Sequence, residues 1–239
     1  MVGGERDACD DGGITMDVAP LADDELVGLA IFPLEGGVLF PGSTLPLHVF
    51  EPRYRQLVQH CLAKRSPLAV WQVDSKLPRT AFGPALRPIA TAGRIVAHVK
   101  LRDGRYNIIV QGLERIALVE EVPSDDLYRM VRARRLPLPA VDEGLIRPHL
   151  AVLRDLVRAM AVFSPQESQL LEDIIADQCC PEELSDVLCA ALDEPASERQ
   201  RMLELDDAVA RIRHVADRLA LMLMRNTPPT GEHPTADRH

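Results

Sequence analysis

The sequence predicts an α+β protein, with a strand-rich segment over residues 26–138 followed by a helical segment over residues 139–225. Three observations lead there. From Leu26 to Leu136 the apolar residues come in short runs cut by Pro and Gly, the punctuation of strands. Asp103-Gly104 lies between two β-rich runs, the strongest short hairpin signal. After Pro139 the apolar residues recur at spacings of three and four, and Pro stands at helix openings.

Taken in order, residues 1–25 hold eight acidic side chains against one Arg and few large apolar groups. Such a segment buries too little surface to offset chain entropy, so it reads as a flexible acidic arm. A helix opens at Pro52, where the missing N–H is tolerated, and Tyr54, Leu57, Val58, Cys61 and Leu62 share one face. Trp71 lies on a strand over Leu68–Val73. The hairpin pairs Arg94–Leu101 with Tyr106–Gln111 through Arg102-Asp-Gly-Arg105, and a type I′ turn requires positive φ at both Asp103 and Gly104. A third strand, Arg115–Val122, follows Gly112, and a fourth, Tyr128–Leu136, follows Pro123-Ser-Asp-Asp126. Ser164-Pro-Gln-Glu167 is a capping box with Pro at the first helical position, and opens a helix to about Gln178. Pro181 opens another to about Leu192, and Ser197-Glu-Arg-Gln200 is a second capping box. From it Leu205, Val209, Ile212, Ala216, Leu219 and Leu223 form one continuous stripe, the packing face of a helical bundle. Residues 226–239 are polar, with three Pro, and read as a disordered tail.

Composition excludes whole classes. The 239 residues are 46% hydrophobic, 26% charged and 4% aromatic, which rules out collagenous and low-complexity chains. No apolar run approaches the ~18 residues of a membrane span, and no basic segment precedes an apolar one as in a secretory signal. Five Cys without a C-x-x-C read as reduced thiols, so a cytoplasmic setting is expected. The net charge of −9 is uneven: residues 26–145 carry sixteen basic against eleven acidic groups, and residues 146–225 nine against fifteen. Solvated faces account for this better than a nucleic-acid footprint does.

Catalytic motifs are missing. None of Lys64, Lys76 and Lys100 follows a Gly, so the lysine of a phosphate-cradling loop is absent. There is no H-E-x-x-H, no His pair at i, i+4 to start a zinc site, and no G-x-S-x-G elbow for a nucleophile. Neither a metal nor a cofactor is expected. His48 and Glu51 have the chemistry of an acid–base pair, but in a Pro-bounded turn they are expected to hold the corner instead.

The segment Ile31-Phe-Pro-Leu-Glu-Gly-Gly-Val-Leu-Phe-Pro-Gly-Ser-Thr-Leu-Pro-Leu-His-Val-Phe-Glu-Pro-Arg-Tyr-Arg55 closely resembles the opening signature of the Lon protease N-terminal domain. Gly93 before Arg94-Ile95, Asp103-Gly104 and Val110-Gln-Gly-Leu-Glu-Arg115 match its later marks, as do Pro181, Leu184-Ser-Asp186 and Glu198–Glu204. The resemblance covers roughly residues 26–225. It implies a small PUA-like β-barrel and then a helical bundle, acting in recognition of substrate proteins without the ATPase and Ser-Lys peptidase modules. The expected role is therefore a non-catalytic module binding unfolded or partner polypeptides, among them a protease or chaperone, as an adaptor in proteolysis or quality control. Pro41, Gly42, Glu51, Pro52, Arg53 and Tyr54 are expected as corner and helix-start determinants, and Gly93, Gly104 and Gly112 as backbone positions in the strands and turn.

The loop Asp74–Ala92 is the candidate peptide-binding surface, because it is too long for a plain turn and offers Leu77, Phe82 and Leu86 among Pro and Gly. The competing expectation is that Phe82 folds back onto the strands. An alternative function is RNA binding, since PUA-like barrels occur in RNA-binding proteins. Arg129, Arg132, Arg134 and Arg135 cluster beside Tyr128, but stacking aromatics are otherwise lacking.

Overall fold

The structure is a computed structural model, and residues 19–177 and 180–226 are described. The expected flexible arm and disordered tail, and Cys179, lie outside the described residues for most or all of their length. The strands are β1 (Val27–Leu34), β2 (Thr44–Val49), β3 (Leu68–Gln72), β4 (Ile89–Lys100), β5 (Tyr106–Val122) and β6 (Met130–Arg135). The helices are α1 (Pro52–Lys64), α2 (Glu143–Met160), α3 (Pro165–Asp177), α4 (Pro181–Ala191), α5 (Ala196–Glu204) and α6 (Ala208–Asn226). The fold class is α+β, as the change of periodicity near residue 139 predicts.

The six strands form one mixed sheet in the order β2-β5-β4-β3-β1-β6. β1 and β3 are parallel and the other pairs antiparallel. β6 also pairs with β5, so hydrogen bonding runs in a circuit through β5, β4, β3, β1 and β6. Both faces of β1 are covered: Ala30 and Phe32 join one core cluster, Leu29 and Ile31 another that contains Trp71. That is why its sequence is apolar throughout instead of alternating.

β5 runs unbroken for 17 residues, where the sequence predicts two strands separated at Gly112. Gly112 is a point of close approach within it. A Cβ there would lie 2.2 Å from the Phe40 carbonyl oxygen, and one on its cross-strand partner Gly93 would lie 2.1 Å from the Gln111 carbonyl oxygen. Only glycine fits at either place.

The hairpin turn also differs from expectation. Gly104 has φ +83°, but Arg65 is the one non-glycine residue with positive φ among the described residues, so Asp103 is not left-handed. Leu101 N–H donates to the Arg105 carbonyl at 2.8 Å and Gly104 N–H to the Leu101 carbonyl at 3.0 Å. This is a three-residue loop, a type I turn closed by a left-handed glycine, and not a two-residue type I′ turn. The Asp103 carboxylate accepts from Arg105 N–H at 3.1 Å and pairs with its guanidinium, which holds Asp103 in the ordinary region.

The stripe predicted to continue from the second capping box is cut between α5 and α6. Leu205 is extended, and the Asp207 carboxylate caps α6 by accepting from Ala210 N–H at 3.0 Å. The carbonyls freed at the break are taken up from afar. Arg115 of β5 and Arg211 of α6 each donate to Leu203 C=O at 3.0 Å, and Arg211 donates to Leu205 C=O at 2.9 Å. The stripe residues still serve as expected: Ile212, Ala216 and Leu219 are buried in the helical core, and Leu205, Val209 and Leu223 pack against it. Val38 and Phe40, from the connection after β1, enter that same core and tie the sheet to the helices. Among the described residues no helix is long and apolar enough to cross a membrane, and no group of three His, Cys, Asp or Glu is placed to hold a metal.

Candidate functional site

The end of β1, the end of β2 and the start of α1 enclose an open groove of about 400 Å³. Its floor is aromatic. Phe32 stacks on Tyr54 with ring centroids 4.3 Å apart and planes 26° from parallel. Tyr54 is held in the first turn of α1, which Pro52 opens, and Tyr54 and Arg55 N–H both donate to the Glu51 carbonyl at 3.1 and 2.9 Å. Arg53 lies 4.5 Å over the Tyr54 ring and pairs with Glu51 at 2.8 Å. Glu51-Pro-Arg-Tyr54 thus starts the helix, as the sequence predicts, and also lines the groove. Burial raises the Tyr54 phenol above its usual range, so the ring stays neutral.

The opposite wall comes from the loop after β3. Thr80 and Gly83 exchange backbone hydrogen bonds of 2.7 and 3.1 Å, and Phe82 N–H donates to Thr80 Oγ1 at 3.2 Å. This tight turn presents Phe82, 40% exposed, to the groove. Arg129 braces the turn by donating to Pro84 C=O at 2.9 Å while pairing with Glu121 at 2.6 Å. Lower in the loop, Arg87 pairs with Asp74 at 3.0 Å and with Glu204 of α5 at 2.5 Å. The Lys76 N–H and the Arg87 guanidinium hold the Asp74 carboxyl below its ordinary range.

The three candidate residues of this loop separate. Phe82 lines the groove; Leu77 is exposed but lies outside its lining. Leu86 is 8% exposed and sits in the core with Trp71, so it presents no binding surface. The Trp71 indole, donating to Arg87 C=O at 2.6 Å, and the bridge from Val73 to Leu86 draw that residue inward. Sequence reasoning missed Phe50, which lines the groove and is 59% exposed. The available signal was a large aromatic immediately before the helix-opening Glu51-Pro52, beyond the last inward residue of β2. His48 and Glu51 do not pair. His48 Nδ1 contacts Asn107 Oδ1 at 2.6 Å, and Glu51 is held by Arg53.

The arginine cluster on β6 and before it is largely neutralised. Arg129, Arg132 and Arg135 pair with Glu121, Glu120 and Glu114 of β5 at 2.6, 3.3 and 2.7 Å. Those guanidiniums are satisfied by neighbouring strands, which leaves little for a phosphate backbone.

The chain belongs to the family defined by the ATP-dependent protease La (LON) substrate-binding domain, whose model matches residues 28–220. It is similar to the Lon protease of Paraburkholderia phytofirmans, 28% identical over 226 residues that cover 92% of this chain and 27% of that protein. Lon protease 2 of Myxococcus xanthus is 27% identical over 195 residues, 80% of this chain and 23% of that one. The chain therefore spans about a quarter of the length of the curated relatives it matches. The crystal structure of a Lon N-terminal domain protein from Xanthomonas campestris has the same fold, with a TM-score of 0.58 and 22% identity over 80% of this chain and 98% of that one. So does the N-terminal domain of a Mycobacterium avium complex Lon protease, with a TM-score of 0.62 and 15% identity over 81% and 98%.

Proposed function

We propose that this chain is a non-catalytic recognition module that binds unfolded or partner polypeptides in the groove between β1, β2 and the Phe82 turn. The observation that carries the reading is the pair of exposed aromatics, Phe50 and Phe82, on a groove floored by the Phe32–Tyr54 stack. Exposed aromatic side chains over a preformed concave surface are the usual anchors of polypeptide recognition. Membership of the LON substrate-binding family supports the same substrate class. The lack of a Gly-Lys pair and of a G-x-S-x-G elbow supports binding without cleavage, in which the chain acts as an adaptor in proteolysis or quality control. In this reading the circuit of strands is a small PUA-like barrel, residues 26–138, and residues 139–225 form a helical bundle that buttresses it.

The test is an anisotropy titration with fluorescein-labelled, carboxymethylated α-lactalbumin, a permanently unfolded chain. Affinity is expected to be weak, because a groove of this size buries little surface beyond the cost of ordering the ligand. Phe82→Asp is expected to weaken binding about tenfold or more, the loss typical of an anchor residue, with the melting temperature nearly unchanged. The same preparation is expected to leave casein intact with or without ATP. Equal binding by the variant, or casein cleavage blocked by a serine-protease inhibitor, contradicts the proposal.

A further inference from the structure

We infer that the groove takes its ligand as an added β-strand, an extended segment hydrogen-bonded to the open edge of β2; this rests on the polypeptide-binding reading above. β2 stands at one end of the strand order and, among the described residues, pairs with β5 alone. The hairpin decides which of its backbone groups face outward. Leu101 N–H donates to Arg105 C=O, so those residues are a bonded pair, and the period of two makes Val99 and Asn107 the next one across β4 and β5. Asn107 thereby spends its N–H and C=O on β4. His48, opposite Asn107 on β2, then has no backbone partner on β5, and its N–H and C=O point to the open edge. Pro46, two residues earlier, belongs to the same outward set, where a missing N–H costs no ladder bond. The close contact of the His48 and Asn107 side chains fits a non-bonded pair, in which side chains approach most nearly.

A second open edge lies across the groove. β1 gives the backbone groups of Leu34 to the β3 side, where its carbonyl accepts from Val73 N–H at 3.0 Å. Ile31 N–H faces the other way and is taken by Arg129 C=O at 3.0 Å, and the following residue of that set, Pro33, lines the groove. The register therefore leaves the outward N–H and C=O of His48 and the carbonyl of Pro46 with no strand beside them, and that of Pro33 beyond the last β6 partner of β1. None of these groups enters the turn, loop and cap bonds of the described residues. What complements a row of open main-chain groups is another main chain, as in recognition by strand addition. Charge refines the occupant. The ion pairs Arg53–Glu51 and Arg129–Glu121 are neutral as units, and Glu35 and Arg79 add one charge of each sign to the lining. Leu47, Val49, Phe50 and Phe82 are apolar, so the matching segment carries no net charge and has an apolar side chain at every second position.

The experiment uses the full chain and a fluorescein-labelled eight-residue peptide of alternating valine and serine, with two versions N-methylated on alternate amides. The valine–serine alternation fixes which amides face β2. One methylated version is expected to lose at least about tenfold in affinity and the other to bind within about threefold of the parent, the difference between blocking and sparing hydrogen-bonded amides. His48→Pro, which removes the outward donor without touching the β5 ladder, is expected to weaken the parent peptide about tenfold while retaining the melting temperature. If both methylated peptides bind like the parent while Phe82→Asp abolishes binding, strand addition is overturned and the groove still binds polypeptide through side chains. If neither the parent peptide nor carboxymethylated lactalbumin binds, the polypeptide reading itself fails. A dimer seen by analytical ultracentrifugation and dissociated by His48→Pro overturns the inference in another way, by giving the edge to a second copy of this chain.

Discussion

At Gly104 the backbone has φ +83°, and a Cβ built there would meet Arg55 Nη1 at 3.1 Å. Gly104→Val places a β-branched side chain in the left-handed region, and is expected to destabilise the fold by about 1–3 kcal/mol in urea unfolding. That a hairpin turns at Asp103-Gly104 was legible in the sequence. The turn type was not, because the Asp103 carboxylate is held by Arg105 and a Gly after a type I turn carries the same dipeptide. The buried thiols give a second residue-scale prediction. Burial pushes Cys61 up to about 11 and Cys189 up to about 12. Each folded value is raised, so the stabilisation is complete below the ordinary thiol value of 9.0 and is lost as pH rises through 11 to 12. Native protein at pH 8 is therefore expected to resist iodoacetamide at both positions, read by peptide mass spectrometry, while urea-unfolded protein is alkylated fully.

Among the elements, the junction of α5 and α6 shows where local pattern stops deciding structure. The apolar stripe from Leu205 to Leu223 has the right spacing for a single helix. The chain breaks because Arg115, from a strand 88 residues away in sequence, bonds Leu203 C=O, and because Asp207 caps a new helix. Only tertiary structure supplies the first of these. The second had a signal, an Asp three residues before Ala210 in a run of helix formers, that the continuity of the stripe concealed. Asp207→Ala is expected to cost about 0.5–2 kcal/mol, the usual range for a lost cap, measured as a shift in the urea midpoint with unchanged slope. β5 carries the opposite lesson. Gly112 looks like a strand break, and in the fold it is the place where Phe40's carbonyl comes within reach of the sheet. The amphipathic helix starting at Pro52 was legible because its Pro and its apolar spacing agree, and the structure runs it from Pro52 to Lys64.

For the molecule as a whole, the order of strands and then helices was readable from one change of period near residue 139. The joining of the two was not. Arg87–Glu204 and Arg115–Asp206 ion pairs, Gln200 donating to Ile89 C=O at 2.9 Å and Phe40 in the helical core connect residues more than a hundred positions apart or nearly so. The candidate site divides in the same manner. Phe82 was visible as an apolar residue in an overlong loop, but Leu86 looked equivalent, and only the bridge to Val73 shows that it turns inward. Phe50 acquires meaning when the end of β2 is brought beside the Phe82 turn, a juxtaposition no local pattern encodes. The most direct test of the account maps binding onto the fold with amide chemical shifts of isotope-labelled protein titrated with carboxymethylated α-lactalbumin. Shifts are expected to concentrate at Phe32–Glu35, Leu47–Tyr54 and Arg79–Pro84, all lost in a Phe50→Asp, Phe82→Asp double variant that keeps the unliganded spectrum elsewhere. Shifts confined to α2 and α3, or unchanged by the double variant, would contradict it.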